Sequence, residues 1–311
     1  MSSPSTAEVS SPAVVVLGSA NMDLVIRQTR AARPGETVFG KSFGSGAGGK
    51  GLNQAVAAAR AGASVGLLAA VGDDDFGVRL RTFLAEQDVD TRGVSVVTEA
   101  TGVASITVTD DGENSIVVVA GANAASELSE EDRAAIARAT YLVVQLERPI
   151  RLVEEALKVA RAHGVATVLT PAPVVEGVRD LIELCDILIA NEIEAVSLAA
   201  TDDPHVAAQI LSREAGRVVV TLGARGALLA QDGVIAREIR AVAVDVVDTT
   251  GAGDTFAGVL VAMLAEGRDF GDAMDAATRA GALAVTREGA AASMPLRAEF
   301  DGAPAPIQTD R

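Results

Sequence analysis

The chain has 311 residues, enough for one large α/β domain or two small ones. Hydrophobic residues make up 49% and charged residues 22%, the balance of an ordinary soluble globular protein. A formal net charge of −16 argues against nucleic acid or an anionic membrane as partner, since both need basic surface, but leaves small phosphates open, because local amides hold those.

Residues 1–12 are Ser/Pro-rich, without a basic start or an apolar core, and read as a disordered tail rather than a signal peptide. A continuous apolar strand is expected at 13–19. Residues 23–43 alternate apolar and polar. The glycine-rich GSGAGGKG at 44–51 then leads into a helix at 51–61. That stretch begins like a P-loop, with Gly44, Gly49 and Lys50, but Gly51 stands where a Ser or Thr would ligate Mg²⁺. Strands are expected at 65–71, 141–145, 166–170, 186–190 and 217–222, and helices at 76–87, 129–138, 150–162, 192–199 and 204–215. This is the rhythm of a doubly wound, mostly parallel sheet flanked by helices. Residues 102–120 alternate again, around an Asp110-Asp111-Gly112 turn. With 23–43 they are expected to form a small antiparallel sheet, a lid with an edge free to pair with a second subunit. One domain over 13–297 is expected, with a loose tail at 298–311 and no membrane span, in a cytoplasmic protein.

Cysteine and histidine offer little chemistry. Cys185 is alone in an apolar run and reads as a small buried hydrophobe. His163 and His205 are too few for a histidine metal site or a Ser-His-Asp triad.

The stretch 245–264 is the most informative. Apolar residues at 256, 259, 260, 263 and 264 have helical spacing, and Gly251-Ala252-Gly253-Asp254 stands directly before them. Small residues leave the first N–H groups of a helix uncovered, which makes an anion site. A carboxylate there repels an anion unless it has work to do. Its natural work is to accept a proton from a hydroxyl that attacks phosphorus. A plain helix cap by Asp254 or Thr255 would explain the carboxylate but not the GAG before it. The stretch 48–54 also opens a helix. There Gly48, Gly49 and Gly51 give close backbone approach, while Lys50 and Asn53 supply polar groups suited to a polyhydroxylated substrate.

These motifs together resemble the ribokinase (PfkB) family of sugar kinases, over Val14 to Pro295. The matching segments in order are Gly18-Ser19-Ala20-Asn21-Met22-Asp23, Pro34-Gly35-Glu36-Thr37, Gly48-Gly49-Lys50-Gly51 with Asn53-Gln54, Gly121-Ala122-Asn123-Ala124 and Gln145-Leu146-Glu147. Asn191 to Glu194, Thr221 to Gly226 and Asp248 to Thr255 complete the series. The resemblance implies a ribokinase-like α/β fold with a β lid and ATP-dependent phosphorylation of a sugar's primary hydroxyl. Asp254 would be the base, with the amides of Gly251, Ala252 and Gly253 as the anion hole. Asn21, Met22, Asp23, Gly49, Lys50, Gly51, Leu52, Asn53 and Glu147 would meet the sugar together with Asp254. Asn191 and Glu194 would lie near the ATP phosphates and Mg²⁺. Thr221, Leu222, Gly223, Ala224, Arg225, Gly226 and Thr278 would line the nucleotide, with Gly253 and Asp254 at its phosphates. Asp248, Thr250, Ala284, Arg287, Gly289 and Ser293 would surround a monovalent cation, K⁺, beside the anion hole. A homodimer is expected from the exposed lid edge, through edge pairing of 23–43 and 102–120.

The pattern departs at Thr170, where Asn is common, and at Ala47, where an aromatic is frequent; both bear on rate and specificity. Only 3% of residues are aromatic, which counts against a nucleoside acceptor, and the lid arginines do not cluster as a sugar phosphate would need. A free pentose fits best, D-ribose first, ahead of fructose, deoxyribose or adenosine. A non-catalytic sensor on the same fold could dispense with Asp254. A dinucleotide-binding dehydrogenase lacks its glycine fingerprint after the first strand.

Overall fold

The computed structural model describes residues 11–302. Val14–Leu17 is at most 1% exposed along its length and sits in the middle of a ten-stranded sheet. A β-branched strand buried on both faces needs a covering layer on each side. Helices Lys50–Arg60, Ala252–Ala265 and Phe270–Ala284 cover one face; Ile150–Ala162, Val178–Ile182 and Pro204–Leu211 cover the other. From Val14–Leu17 the sheet runs one way through Tyr141–Val144, Ala166–Leu169, Ile187–Asn191 and Arg217–Thr221, every pair parallel. Ala227–Gln231 and Val234–Ile239 close that edge as an antiparallel hairpin. The other way lie Val65–Gly72 and the short strands Val89–Asp90 and Val94–Val97.

The doubly wound parallel sheet read from the sequence is therefore present. The edge hairpin, the helix Phe270–Ala284 and the short elements Val89–Asp90, Val94–Val97 and Val178–Ile182 go beyond that reading. The helix expected over 204–215 ends at Leu211.

Four strands form the separate small sheet, in the order Ser42–Gly48, Asn21–Gln28, Gly102–Thr109, Asn114–Val119. Its two outer pairs are antiparallel, as expected for hairpins, but its central pair is parallel, Asn21 lying opposite Gly102 and Gln28 opposite Thr109. The two excursions thus leave the main sheet side by side in the same direction. The glycine-rich stretch is not an open loop: residues 42–48 are an edge strand of this lid, and helix Lys50–Arg60 starts after a single turning residue, Gly49, at φ 92°. Lys41 joins the two hairpins, donating to both oxygens of Asp110 at 2.6–2.7 Å.

The ordered fold also runs past the expected limits of 13–297. Pro12 is buried, and Arg297–Phe300 is a short helix that buries Phe300 completely. The remainder of the two expected tails, 1–10 and 303–311, lies outside the described residues. Cys185 is buried, its thiol donating to Leu181 O, and burial pushes its pKa up, so it is the inert hydrophobe expected. Among the described residues no helix is long and apolar enough to cross a membrane.

Candidate active site

In an open parallel sheet the strands' carboxyl ends, where the chain turns out of the sheet, are where ligands bind. Ser19 to Asp23, Gln145 to Glu147, Thr170 and Asn191 to Glu194 all leave the sheet at that end. Two helix N-termini meet them. The first belongs to Lys50–Arg60, whose N-cap Gly49 brings no side chain. Glu147 supplies the missing cap from far along the chain: its Oε2 accepts from the Lys50 N–H at 3.0 Å and from the Ser19 hydroxyl at 2.5 Å.

The second N-terminus is that of Ala252–Ala265. Gly251 turns the chain at φ 74°, and the first intrahelical bond runs from Thr255 N to Gly251 O at 2.8 Å. The N–H groups ahead of it have no place in the helical ladder. Ala252 N makes one long contact with Thr249 O, at 3.3 Å. Gly253 is exposed, and a methyl group added to it would meet nothing within 4 Å, so the space before the helix is open. This is the geometry an anion hole requires.

Asp254 sits in that first turn, with its carboxylate gripped by two amides of the neighbouring helix. Asn53 Nδ2 donates to Oδ2 and Gln54 Nε2 to Oδ1, each at 2.9 Å. Burial pushes the Asp254 carboxyl up; Lys50 and the two amides pull it back, Glu147 adds to the rise, and the net direction is upward. A carboxylate so raised is a better proton acceptor at neutral pH than a free one. Lys50 is held above its usual range although burial lowers it, because Asp254, Glu147 and Glu194 all attract its charge. Glu194 is raised by burial, against the pull of the Asn191 N–H and Lys50. Asp23 is pushed up to about 7, by burial first, then by Glu147 and Asp254. The fold thus draws Asp23, Lys50, Asn53, Glu147, Glu194 and Asp254 into one electrostatic cluster.

A stability prediction follows for Asp23. A carboxyl whose folded pKa exceeds its ordinary value of 3.8 favours the fold while protonated, and that contribution fades as pH rises from about 4 to about 7. In the ligand-free protein, Asp23→Asn is expected to raise the melting temperature at pH 8 and to change it little at pH 4. A difference that is constant across that window would contradict the assignment.

Not every expected contact survives. Met22 and Leu52, expected to meet the sugar, are 1% and 0% exposed and put their side chains into the core. Gly51 is pressed against Gly18, where an added methyl carbon would stand 2.5 Å from the Gly18 Cα; it shapes the site without facing it. Asn191 and Glu194 form a reciprocal capping box on Glu192–Ala199, so in this conformation Asn191 does the work of a helix cap. Asn21 is buried and accepts from Asn123 Nδ2 at 2.7 Å, while Asn123 also bonds both backbone groups of Ala20. Asn123, Ser19 and Gln54 therefore belong to the site architecture although only their motifs, not their roles, stood out in the sequence.

Thr221 to Gly226 line a tight turn after strand Arg217–Thr221, closed by a 2.7 Å bond from Leu222 N to Gly226 O, with Gly223 to Arg225 exposed. Thr278 is buried on helix Phe270–Ala284, its Oγ1 without a partner among the described residues. Asp248 accepts from Thr250 N–H at 2.9 Å and from its hydroxyl at 2.6 Å, and from Gly289 N at 3.0 Å. Burial works against its ionisation, but these bonds outweigh burial and hold it below the usual carboxylate range. The two segments expected to flank a monovalent cation are thereby joined. Within them Ala284 and Ser293 are buried, and Arg287 is committed to an ion pair with Glu299. Between the lid and the loops 246–250 and 288–292 lies a cleft of ≈ 950 Å³ that Asp23 and Asp248 both line.

Residues 11–297 match the pfkB family of carbohydrate kinases. The chain belongs to that family. Its pfkB relatives include a ribokinase of Haemophilus influenzae, 40% identical over 297 residues that cover 92% of this chain and 96% of that protein. Among solved structures, a ribokinase of Thermotoga maritima superposes with a TM-score of 0.87 at 30% identity, covering 93% of this chain and 98% of the other. The ribokinase of Arabidopsis thaliana, solved with ribose and ATP, superposes with a TM-score of 0.85 at 31% identity over 94% and 98%. The pfkB fold, with its main parallel sheet and separate lid sheet, is the fold described above.

Proposed function

We propose that this protein transfers the γ-phosphoryl group of ATP to the primary hydroxyl of D-ribose, giving D-ribose 5-phosphate and ADP. The observation that carries the reading is Asp254, a proton acceptor fixed by two amides at the open start of a helix. The likeness to ribokinases, one of them solved with ribose and ATP, supports the same substrates here.

The residues divide the work as follows. Asp23, Asn53, Lys50 and Glu147 surround the sugar, with the backbone of Gly49 beside it. A carboxylate accepts from two adjacent hydroxyls, which suits a polyol. Asn53 Oδ1 is buried without a partner among the described residues, an acceptor suited to one more hydroxyl. Asp254 takes the proton of the primary hydroxyl as that oxygen bonds to the γ-phosphorus and the bond to the bridging oxygen of ADP breaks. The free N–H groups at the start of Ala252–Ala265 face the charge that develops on the transferred group. Glu194 with Asn191 offers the oxygen donors Mg²⁺ prefers; when bound, Mg²⁺ neutralises the phosphate charge. Oxygens of the joined loops, from Asp248, Thr250, Ala284, Arg287, Gly289 and Ser293, would hold K⁺, which steadies the loop that carries the anion hole. Thr221 to Gly226 and Thr278 would line the nucleotide. A supply of ATP fits a cytoplasmic protein. The test is ADP formation from Mg-ATP with D-ribose, deoxyribose, fructose and adenosine, with and without K⁺. Ribose is expected to give the highest kcat/KM and K⁺ to raise it; equal ADP release without any sugar would overturn the reading.

The lid supports a homodimer. Every residue of the edge strand Asn114–Val119 is exposed, including Ile116 to Val119 at 53–65%, and Phe43 on the opposite edge is 67% exposed. A bare apolar edge strand is a surface for pairing. Light scattering is expected to give a dimer that Val118→Asp splits; a monomeric wild type would sink the assignment.

A further inference from the structure

Behind Asp254 lies a second row of side-chain amides, shut off from the surface. Gln54 is 1% exposed and Gln145 is fully buried. Gln145 Nε2 donates to Gln54 Oε1 at 2.6 Å. Gln54 Nε2 spends its two protons on Asp254 Oδ1, at 2.9 Å, and on the Thr170 hydroxyl, at 3.1 Å. The Asp254 carboxylate, which can only accept, fixes the Gln54 amide with its nitrogen forward, and that leaves the Gln54 oxygen to accept from Gln145 Nε2. Turned over, its oxygen would face the Asp254 carboxylate, acceptor against acceptor. Strand end, helix start and base are thus joined in one line: Tyr141–Val144 carries Gln145, Lys50–Arg60 carries Gln54, and Ala252–Ala265 carries Asp254.

We propose that Gln145 and Gln54 are positioning residues for the base. Gln145 locks the Gln54 amide; Gln54 then holds Asp254 Oδ1, so the carboxylate stays ionised and aimed at the attacking hydroxyl. Thr170 completes the lock as the acceptor for the second Gln54 proton. This rests on Asp254 being the base. The two oxygens of Asp254 are held from different sources: Asn53 stands at the sugar, whereas Gln54 is controlled from the sheet. The relay therefore acts on the chemical step more than on sugar binding.

The experiment is steady-state phosphorylation of D-ribose across pH 5 to 9 by Gln145→Leu, which removes the donor and keeps the volume. An amide donating to a carboxylate favours its charged form, so losing the lock moves the acid limb of the kcat profile to higher pH. We expect kcat at pH 7 to fall about tenfold as the base loses its aim, KM for ribose to stay within about twofold, and the acid limb to move to higher pH. The double variant with Gln54→Leu should be no worse than Gln54→Leu alone, because the two act in series. Gln145→Met serves in the same way if Gln145→Leu does not fold. An unchanged kcat and limb in a folded variant, a change confined to KM, or additive losses in the double variant would each overturn the proposal. Failure of the base assignment looks different: Asp254→Asn would then keep its turnover.

Discussion

Asp254→Asn is expected to lower kcat for ribose phosphorylation by about a thousandfold, within the range that a general base contributes. The fold should survive, since the substitution removes a charge that burial, Glu147 and the neighbouring Asp23 already disfavour. The cost is chemical. The amide cannot take a proton from the attacking hydroxyl. Its nitrogen must also face one of two donors, Asn53 Nδ2 or Gln54 Nε2, that now point at carboxylate oxygens. KM for ribose should move little, because Asp23, Asn53 and Glu147 remain. Kinetics on a variant with an unchanged circular dichroism spectrum decide it. A loss of only a few-fold would mean that the attacking hydroxyl needs no side-chain base and that Asp254 merely caps its helix.

Gly258→Ala is expected to damage activity from outside the site, by less than Asp254→Asn but together with stability. Helix propensity alone predicts a gain, since Ala is favoured over Gly by about 1 kcal/mol. Packing predicts the opposite sign. A methyl carbon on Gly258 would stand 2.5 Å from Gln54 O, 2.6 Å from Ala57 Cβ and 2.9 Å from Ala58 N. Two of these are backbone atoms of Lys50–Arg60, which cannot rotate away. The two helices must separate, at about 1–3 kcal/mol for overpacking. Their separation pulls Asn53 and Gln54 off Asp254, so kcat should fall by about ten- to a hundredfold along with stability. Chemical denaturation and kinetics on one preparation test both signs. A more stable, fully active variant would show that the helix contact is looser than described.

Much of this was legible in the residues before the fold was known. The central strands announced themselves because a strand buried on both faces has no polar position to hide it, as in Val14 to Leu17. The signature from Asp248 to Thr255 located the helix start and the carboxylate proposed as the base. The strand Ser42–Gly48 was invisible for a physical reason: glycine at 44, 46 and 48 has no side chain to show a period of two. The parallel joint of the lid could not be read either, since pairing between distant segments leaves no local trace. The edge hairpin did carry a signal, Asp232-Gly233 at φ 52° and 79°, a left-handed pair suited to a two-residue hairpin turn. Met22 and Leu52 sit inside motifs expected to surround the sugar, but neighbours in sequence on a strand or helix face different ways. Gln54 and Gln145 look like ordinary polar residues until the sheet and helix bury both.

The most direct test of the account is ³¹P NMR of the product formed from Mg-ATP and D-ribose. The account predicts a phosphomonoester coupled to the methylene protons of C5, formed together with ADP. A phosphate on the anomeric carbon would place another hydroxyl at Asp254, and inorganic phosphate alone would show that water, not a sugar, receives the phosphoryl group.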